Sequence, residues 1–120
     1  MKNFKDDEFH CNCGCHLGVA HMDRSFLLWI EKKLRVVLNE PIILISTIRC
    51  EGYNRLVGGE DDSAHLTGEA ADIYTPDTGY RSRLISAAKA CGCRRIGIAA
   101  DVTHLDRSII LPQDVMWTYY

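Results

Sequence analysis

The chain has 120 residues, 47% of them hydrophobic and 25% charged, with 14 Lys and Arg against 16 Asp and Glu and a formal net charge of −2. One domain spanning residues 1–120 is expected, long enough to take roughly two-thirds of its unfolded surface out of water. The near-neutral balance, with no basic run beyond Arg94-Arg95, argues against a nucleic-acid partner, and no apolar run approaches the roughly 20 residues of a membrane span.

In chain order, Met22 to Asn39 is predicted as the first helix. Phe26, Leu27, Ile30, Leu34, Val37 and Leu38 recur at helical spacing, Asp23 can cap the start, and Pro41 stops any continuation. Ile42-Ile43-Leu44-Ile45 is a short apolar, β-branched run that reads as a buried strand ending at Ser46. Glu51 to Asp62 carries Gly52, Asn54, Gly58, Gly59 and two adjacent aspartates, and is expected to be a long functional loop. Glu69 to Tyr74 resumes strand character, Gly79 to Ala90 has helical periodicity, and Arg95 to Ala99, Thr103 to Arg107 and Val115 to Tyr120 read as further strands. The expected fold class is α+β, with helices packed on an antiparallel sheet.

Six cysteines are many for a chain expected to be cytoplasmic as synthesised, since Met1 to Glu8 lacks the apolar stretch of a secretory signal. Cys11, Cys13 and Cys15 alternate, Cys50 stands alone, and Cys91 and Cys93 flank a glycine. Three readings stay open: disulfides, reduced and partly buried thiols, or a second metal on the ligand-rich run His10 to His16.

Two segments gather chemistry. In Ser63-Ala64-His65-Leu66-Thr67-Gly68-Glu69-Ala70-Ala71-Asp72 a histidine at a loop end precedes an aspartate in a strand, and a turn at Gly68 can fold the two together. In Asp101-Val102-Thr103-His104-Leu105-Asp106 a histidine lies between carboxylates. Two nitrogens and an oxygen suit Zn2+, and three protein ligands leave a fourth position open.

These residues resemble the zinc D-Ala-D-Ala carboxypeptidase family, which shares its fold with the signalling domain of Hedgehog proteins. Ser63-x-His65-x-x-Gly68-x-Ala70-x-Asp72 matches the family's SxHxxGxAxD signature, and Ser46-x-x-Arg49-Cys50, Asn54 and Gly58-Gly59 resemble the segment before it. Phe9-x-Cys11-x-Cys13, Arg95-Ile96-Gly97-Ile98 and Trp117-x-Tyr119 resemble the short, phage-associated branch. The resemblance implies zinc on His65, Asp72 and His104, a general base at Asp101 and a substrate-polarising cation at Arg49. Ser63 is a candidate substrate-binding residue, either donating a hydrogen bond to a ligand carboxylate or only terminating the loop. The resemblance also implies a peptidoglycan stem peptide as substrate, cut as a terminal D-alanine or at an internal L-Ala–D-residue bond, with access to the wall through phage lysis or another route. A monomer is expected. Two departures stand out: Leu105-Asp106-Arg107 runs one residue short of the usual pattern, and Ala99-Ala100 replaces an aromatic. Hedgehog-type relatives keep zinc without peptidase activity, so a zinc-stabilised binding or structural module is the alternative.

Overall fold

The computed structural model describes residues 1–119; Tyr120, the last residue of the final predicted strand, lies outside the described residues. Among the described residues, four α-helices, α1 (Arg24–Trp29), α2 (Arg35–Leu38), α3 (Glu51–Leu56) and α4 (Thr78–Ala90), accompany five strands. The strands are β1 (Leu44–Ser46), β2 (Ala70–Tyr74), β3 (Arg95–Ile98), β4 (Val102–Asp106) and β5 (Val115–Thr118), in one sheet of order β1-β2-β4-β3-β5. The chain is thus α+β, as expected. The pairings are antiparallel except for β3 with β5, which run parallel.

The first helix starts where predicted, with the Asp23 carboxylate accepting the Phe26 N–H at 2.9 Å. A π-helical segment, Ile30–Leu34, then joins α1 to α2. The wider turn rotates α2 about the helix axis, so Leu38 stays buried while Val37 is exposed, against the straight-helix expectation. Asn39 ends the helix in the left-handed conformation at φ 55°. Glu31, within the π segment, is buried and accepts backbone N–H groups from Lys2, Asn3 and Phe4, which fastens the N-terminal segment to the helix.

Two other expectations are corrected. The run Ile42–Ile45 is not a buried strand: only Leu44–Ser46 pairs, at the sheet edge, and Ile42 enters the core while Ile43 and Ile45 are exposed, as an edge position covered on one face permits. Glu51 to Asp62 is not all loop, because Glu51–Leu56 forms α3, with the Cys50 Sγ accepting the Tyr53 N–H at its start. Propensity alone hides this short helix behind Gly52 and Asn54.

One sheet face carries the core. Ala71 and Ile73 of β2, Ile96 of β3 and Leu105 of β4 meet Phe26, Trp29, Ile30 and Leu34 of the first helix and Leu84, Ala87 and Ala88 of α4. Strand alternation sends Ala70 and Asp72, His104 and Asp106, and Arg95 and Gly97 to the opposite face. Gly68 connects the two halves of the fold. Its φ is +73°, and a Cβ there would come within 2.8 Å of the His21, Met22 and Asp23 backbone, so only glycine allows the Gly68 carbonyl to accept the Asp23 N–H.

A candidate metal centre on the open face of the sheet

β2 and β4 pair with Asp72 directly opposite His104. Both side chains rise from the face away from the helices, and the 63–68 turn brings His65 between them. The ligand atoms of His65, Asp72 and His104 lie within 4.8 Å of one another, and all three residues are buried.

The tautomers follow from the partners. His65 Nδ1–H donates to the Thr47 carbonyl, which leaves Nε2 as a lone pair, buried without a hydrogen bond and 3.2 Å from Asp72 Oδ1. His104 Nε2–H donates to Asp106 Oδ2 at 2.7 Å, and its Nδ1 faces Asp72 Oδ1 at 3.0 Å. Asp106 is itself held by Arg95 Nε at 2.8 Å and by the Ser108 N–H at 3.1 Å. Two imidazole nitrogens and a carboxylate oxygen, each with its other polar atom engaged, form a donor set that fits zinc with orienting partners behind it.

The electrostatics favour positive charge at this point. Burial alone would raise the Asp72 pKa, but the imidazoles beside it, His104 first, outweigh it and hold the carboxyl well below its ordinary range. Burial would likewise lower His104, yet its bonds to Asp106 and Asp72 raise it.

Around the three residues runs an open cleft of about 700 Å³, lined by Arg49, Glu60, Asp62, Ser63, Asp106, Trp117 and Tyr119 among others. Arg49 is anchored by three bonds: Nη2 to Asp72 Oδ2 at 3.0 Å, Nε to Ser46 Oγ at 3.2 Å, and Nη1 to Asn54 Oδ1 at 3.3 Å. Ser63 also lines the cleft, and its hydroxyl accepts the His65 N–H at 3.2 Å, so it shapes the turn that carries the histidine. Glu69 accepts from Thr67 and lies outside the cleft lining.

Asp101 is not brought to this group. It stands exposed between β3 and β4, outside the cleft lining, where its carbonyl accepts the Thr75 N–H. Asp101 lies in the bend that joins β3 to β4, one residue before the strand that carries His104 begins, so the strand does not aim its side chain. Arg107, one residue beyond β4, lies over the Trp29 ring at 5.3 Å and serves the core side.

Sequence reasoning missed three contributors: Asp106 as the partner of His104, Arg95 as the partner of Asp106, and the Thr47 carbonyl behind His65. The spacing of His104 and Asp106, two apart in a strand, was the signal for the first, because i and i+2 share a face. Trp117 adds a wall to the cleft, 5.6 Å from the His104 ring and under the Arg95 guanidinium at 5.0 Å.

No curated protein matches the chain. The sequence profile of one family, described as Peptidase M15, matches residues 2–106, a span that includes every residue of the His65, Asp72 and His104 group and the Asp106 partner. With that match covering most of its length, the chain belongs to the zinc-dependent Peptidase M15 family.

Proposed function

We propose that the protein is a zinc metallopeptidase that hydrolyses peptidoglycan stem peptides, acting as a D-Ala-D-Ala carboxypeptidase or an L-Ala–D-residue endopeptidase. The observation that carries the metal reading is the buried Nε2 of His65, which has no hydrogen-bond partner and points at Asp72 Oδ1 opposite a second histidine. A buried imidazole lone pair without a partner costs free energy unless a cation or proton meets it. When bound, zinc supplies Lewis acidity toward a carbonyl and toward water.

The chain's own residues supply the rest. Arg49 uses three of its five N–H groups to hold Asp72, Ser46 and Asn54, which leaves two to bind a substrate carbonyl or terminal carboxylate in the cleft. Its bonds also fix the second oxygen of Asp72, so a substrate bound by Arg49 is registered against the metal ligand. Trp117 and Tyr119 form a wall that orients the peptide. For the proton acceptor, Glu60 and Asp62 line the cleft and make no side-chain hydrogen bond among the described residues, whereas Asp106 is spent on His104 and Arg95. Glu60 or Asp62 therefore fits that role better than Asp101.

One observation favours a second reading, the zinc-stabilised binding module. The acid expected three residues before His104 stands outside the cleft, so the ligand set is complete without that base. Incubating zinc-loaded protein with purified peptidoglycan and identifying the released peptides by mass spectrometry separates the two. Release of D-alanine or of peptides cut at a defined bond is expected. Intact stem peptides with the metal fully bound would give the binding module the lead.

A further inference from the structure

Away from the cleft, the N-terminal segment brings three cysteines onto a fourth. Cys11 Sγ lies 3.5 Å from Cys13 Sγ and 3.8 Å from Cys50 Sγ, and Cys13 Sγ lies 3.7 Å from Cys50 Sγ. Cys15 completes the group, with all four sulfurs within 4.8 Å of one another. A zinc–sulfur bond of about 2.3 Å places the sulfurs of a tetrahedral site about 3.8 Å apart, which is the spacing seen here.

The local backbone is built to converge these thiols. A turn closed by the Gly14 N–H donating to the Cys11 carbonyl brings Cys11 and Cys13 together, and Gly14, at φ +84°, redirects the chain between Cys13 and Cys15. Two backbone N–H groups donate to sulfur: Cys50 N–H to Cys11 Sγ and Tyr53 N–H to Cys50 Sγ, each at 3.4 Å. Sulfur as an acceptor of backbone N–H is the arrangement that stabilises thiolates. Asn12 Nδ2 reaches the Ile45 carbonyl at 2.9 Å and holds the turn against β1.

From this geometry we infer that Cys11, Cys13, Cys15 and Cys50 form a second, structural zinc site with four thiolate ligands, independent of the His65, Asp72 and His104 group. Four protein sulfurs leave no open position, so the site is closed to substrate. Its place in the chain gives it a purpose. Cys50 follows Arg49 directly and caps α3, from which Asn54 reaches Arg49, so a metal here ties the N-terminal segment to the element that positions the cleft arginine.

The test uses full-length protein prepared under reducing conditions, equilibrated with zinc and desalted. About two zinc per chain are expected, falling to about one in Cys13→Ser/Cys15→Ser and, separately, to about one in His104→Ala. Cobalt substitution gives an identification independent of activity. The sulfur-to-cobalt charge-transfer band must persist in His104→Ala, where all four thiols remain, and vanish in the double serine variant. Should the double variant fail to fold, the band in His104→Ala decides alone. One zinc in the wild type with four freely reactive thiols, a mass short of two hydrogens from a disulfide within the group, or iron in place of zinc would overturn the proposal. Because the His104→Ala arm reads the cysteine site with the cleft metal lost, failure here is distinguishable from failure of the peptidase reading.

Discussion

Asp72 and His104, 32 residues apart in sequence, are direct cross-strand partners on β2 and β4, with the carboxylate oxygen 3.0 Å from the imidazole Nδ1. Antiparallel register, more than any loop, sets the spacing of these two atoms, and the 63–68 turn has only to deliver His65 to a pair already in place. Substitutions in this group should therefore act on the metal and leave the sheet standing. His65→Ala, Asp72→Ala and His104→Ala are each expected to weaken zinc at this site by orders of magnitude with little change in circular dichroism. Chelator competition measures the affinity, and undiminished zinc in His104→Ala would remove these residues from the metal.

Asp106 should matter almost as much as a ligand. It fixes which nitrogen of His104 is free, and it is itself held by Arg95 and the Ser108 N–H. Asp106→Asn is expected to reduce zinc affinity by about 10- to 100-fold, the usual cost of losing a carboxylate behind a metal-ligating histidine. In the metal-free protein the same change should lower the raised pKa of His104, which NMR titration of the imidazole reads directly.

Arg49→Lys keeps the charge and loses the fork. Lysine cannot hold Ser46, Asn54 and Asp72 together, so turnover on a stem peptide should fall by about 100-fold or more if Arg49 polarises the substrate. Zinc content at saturation should stay normal. An unchanged kcat would confine Arg49 to anchoring Asp72.

The assignment of the proton acceptor can be decided by comparing three variants. Asp101→Asn, at an exposed position outside the cleft, should retain activity within a few-fold of wild type. Loss of about 10²–10⁴ in rate is expected from Glu60→Gln or Asp62→Asn, whichever residue takes the proton. A loss on that scale in Asp101→Asn alone would restore the role that the family resemblance implies for it.

The metal-free protein should be most stable somewhat below neutral pH. Asp72 and Asp106 have depressed pKa values in the fold, so their contribution is present above the ordinary carboxylate value of about 4 and lost as pH falls through the folded values. His104 is raised, so its contribution is full below about 6.5 and lost as pH rises through the folded value. Urea midpoints measured across pH in chelator should fall on both sides, and excess zinc should abolish the alkaline decline. A midpoint that climbs steadily above pH 7 without metal would contradict this account.

Much of this arrangement was legible in the sequence, for reasons that differ by element. The Asp23 cap, α4, and the strands carrying Asp72 and His104 announce themselves through local periodicity and capping chemistry, and the signature from Ser63 to Asp72 points to a metal. What stayed hidden depends on long-range pairing. The parallel placement of β5 on β3, which puts Trp117 opposite Gly97, cannot be read from alternation within either strand. The π segment gives no local sign, because Glu31 is held there by backbone groups some 27 to 29 residues away. The place of Asp101 was equally hidden: it is three residues from His104 in sequence, yet it stands exposed in the bend before β4 and outside the cleft lining.

The strand order has a consequence for biosynthesis. β4 sits between β2 and β3 at the middle of the sheet, yet among the strands only β5 follows it in the chain. On a ribosome that releases residues in order, β2 must emerge with its edge unpaired and wait for the span from Tyr74 to Val102 to be translated before its partner arrives. The waiting edge, Ala70-Ala71-Asp72-Ile73, is largely apolar and open to pairing with another nascent chain. His104 arrives with the same strand, so the cleft metal can be captured only when the sheet closes, and slow translation through residues 75–101 would lengthen the interval in which the chain depends on chaperones.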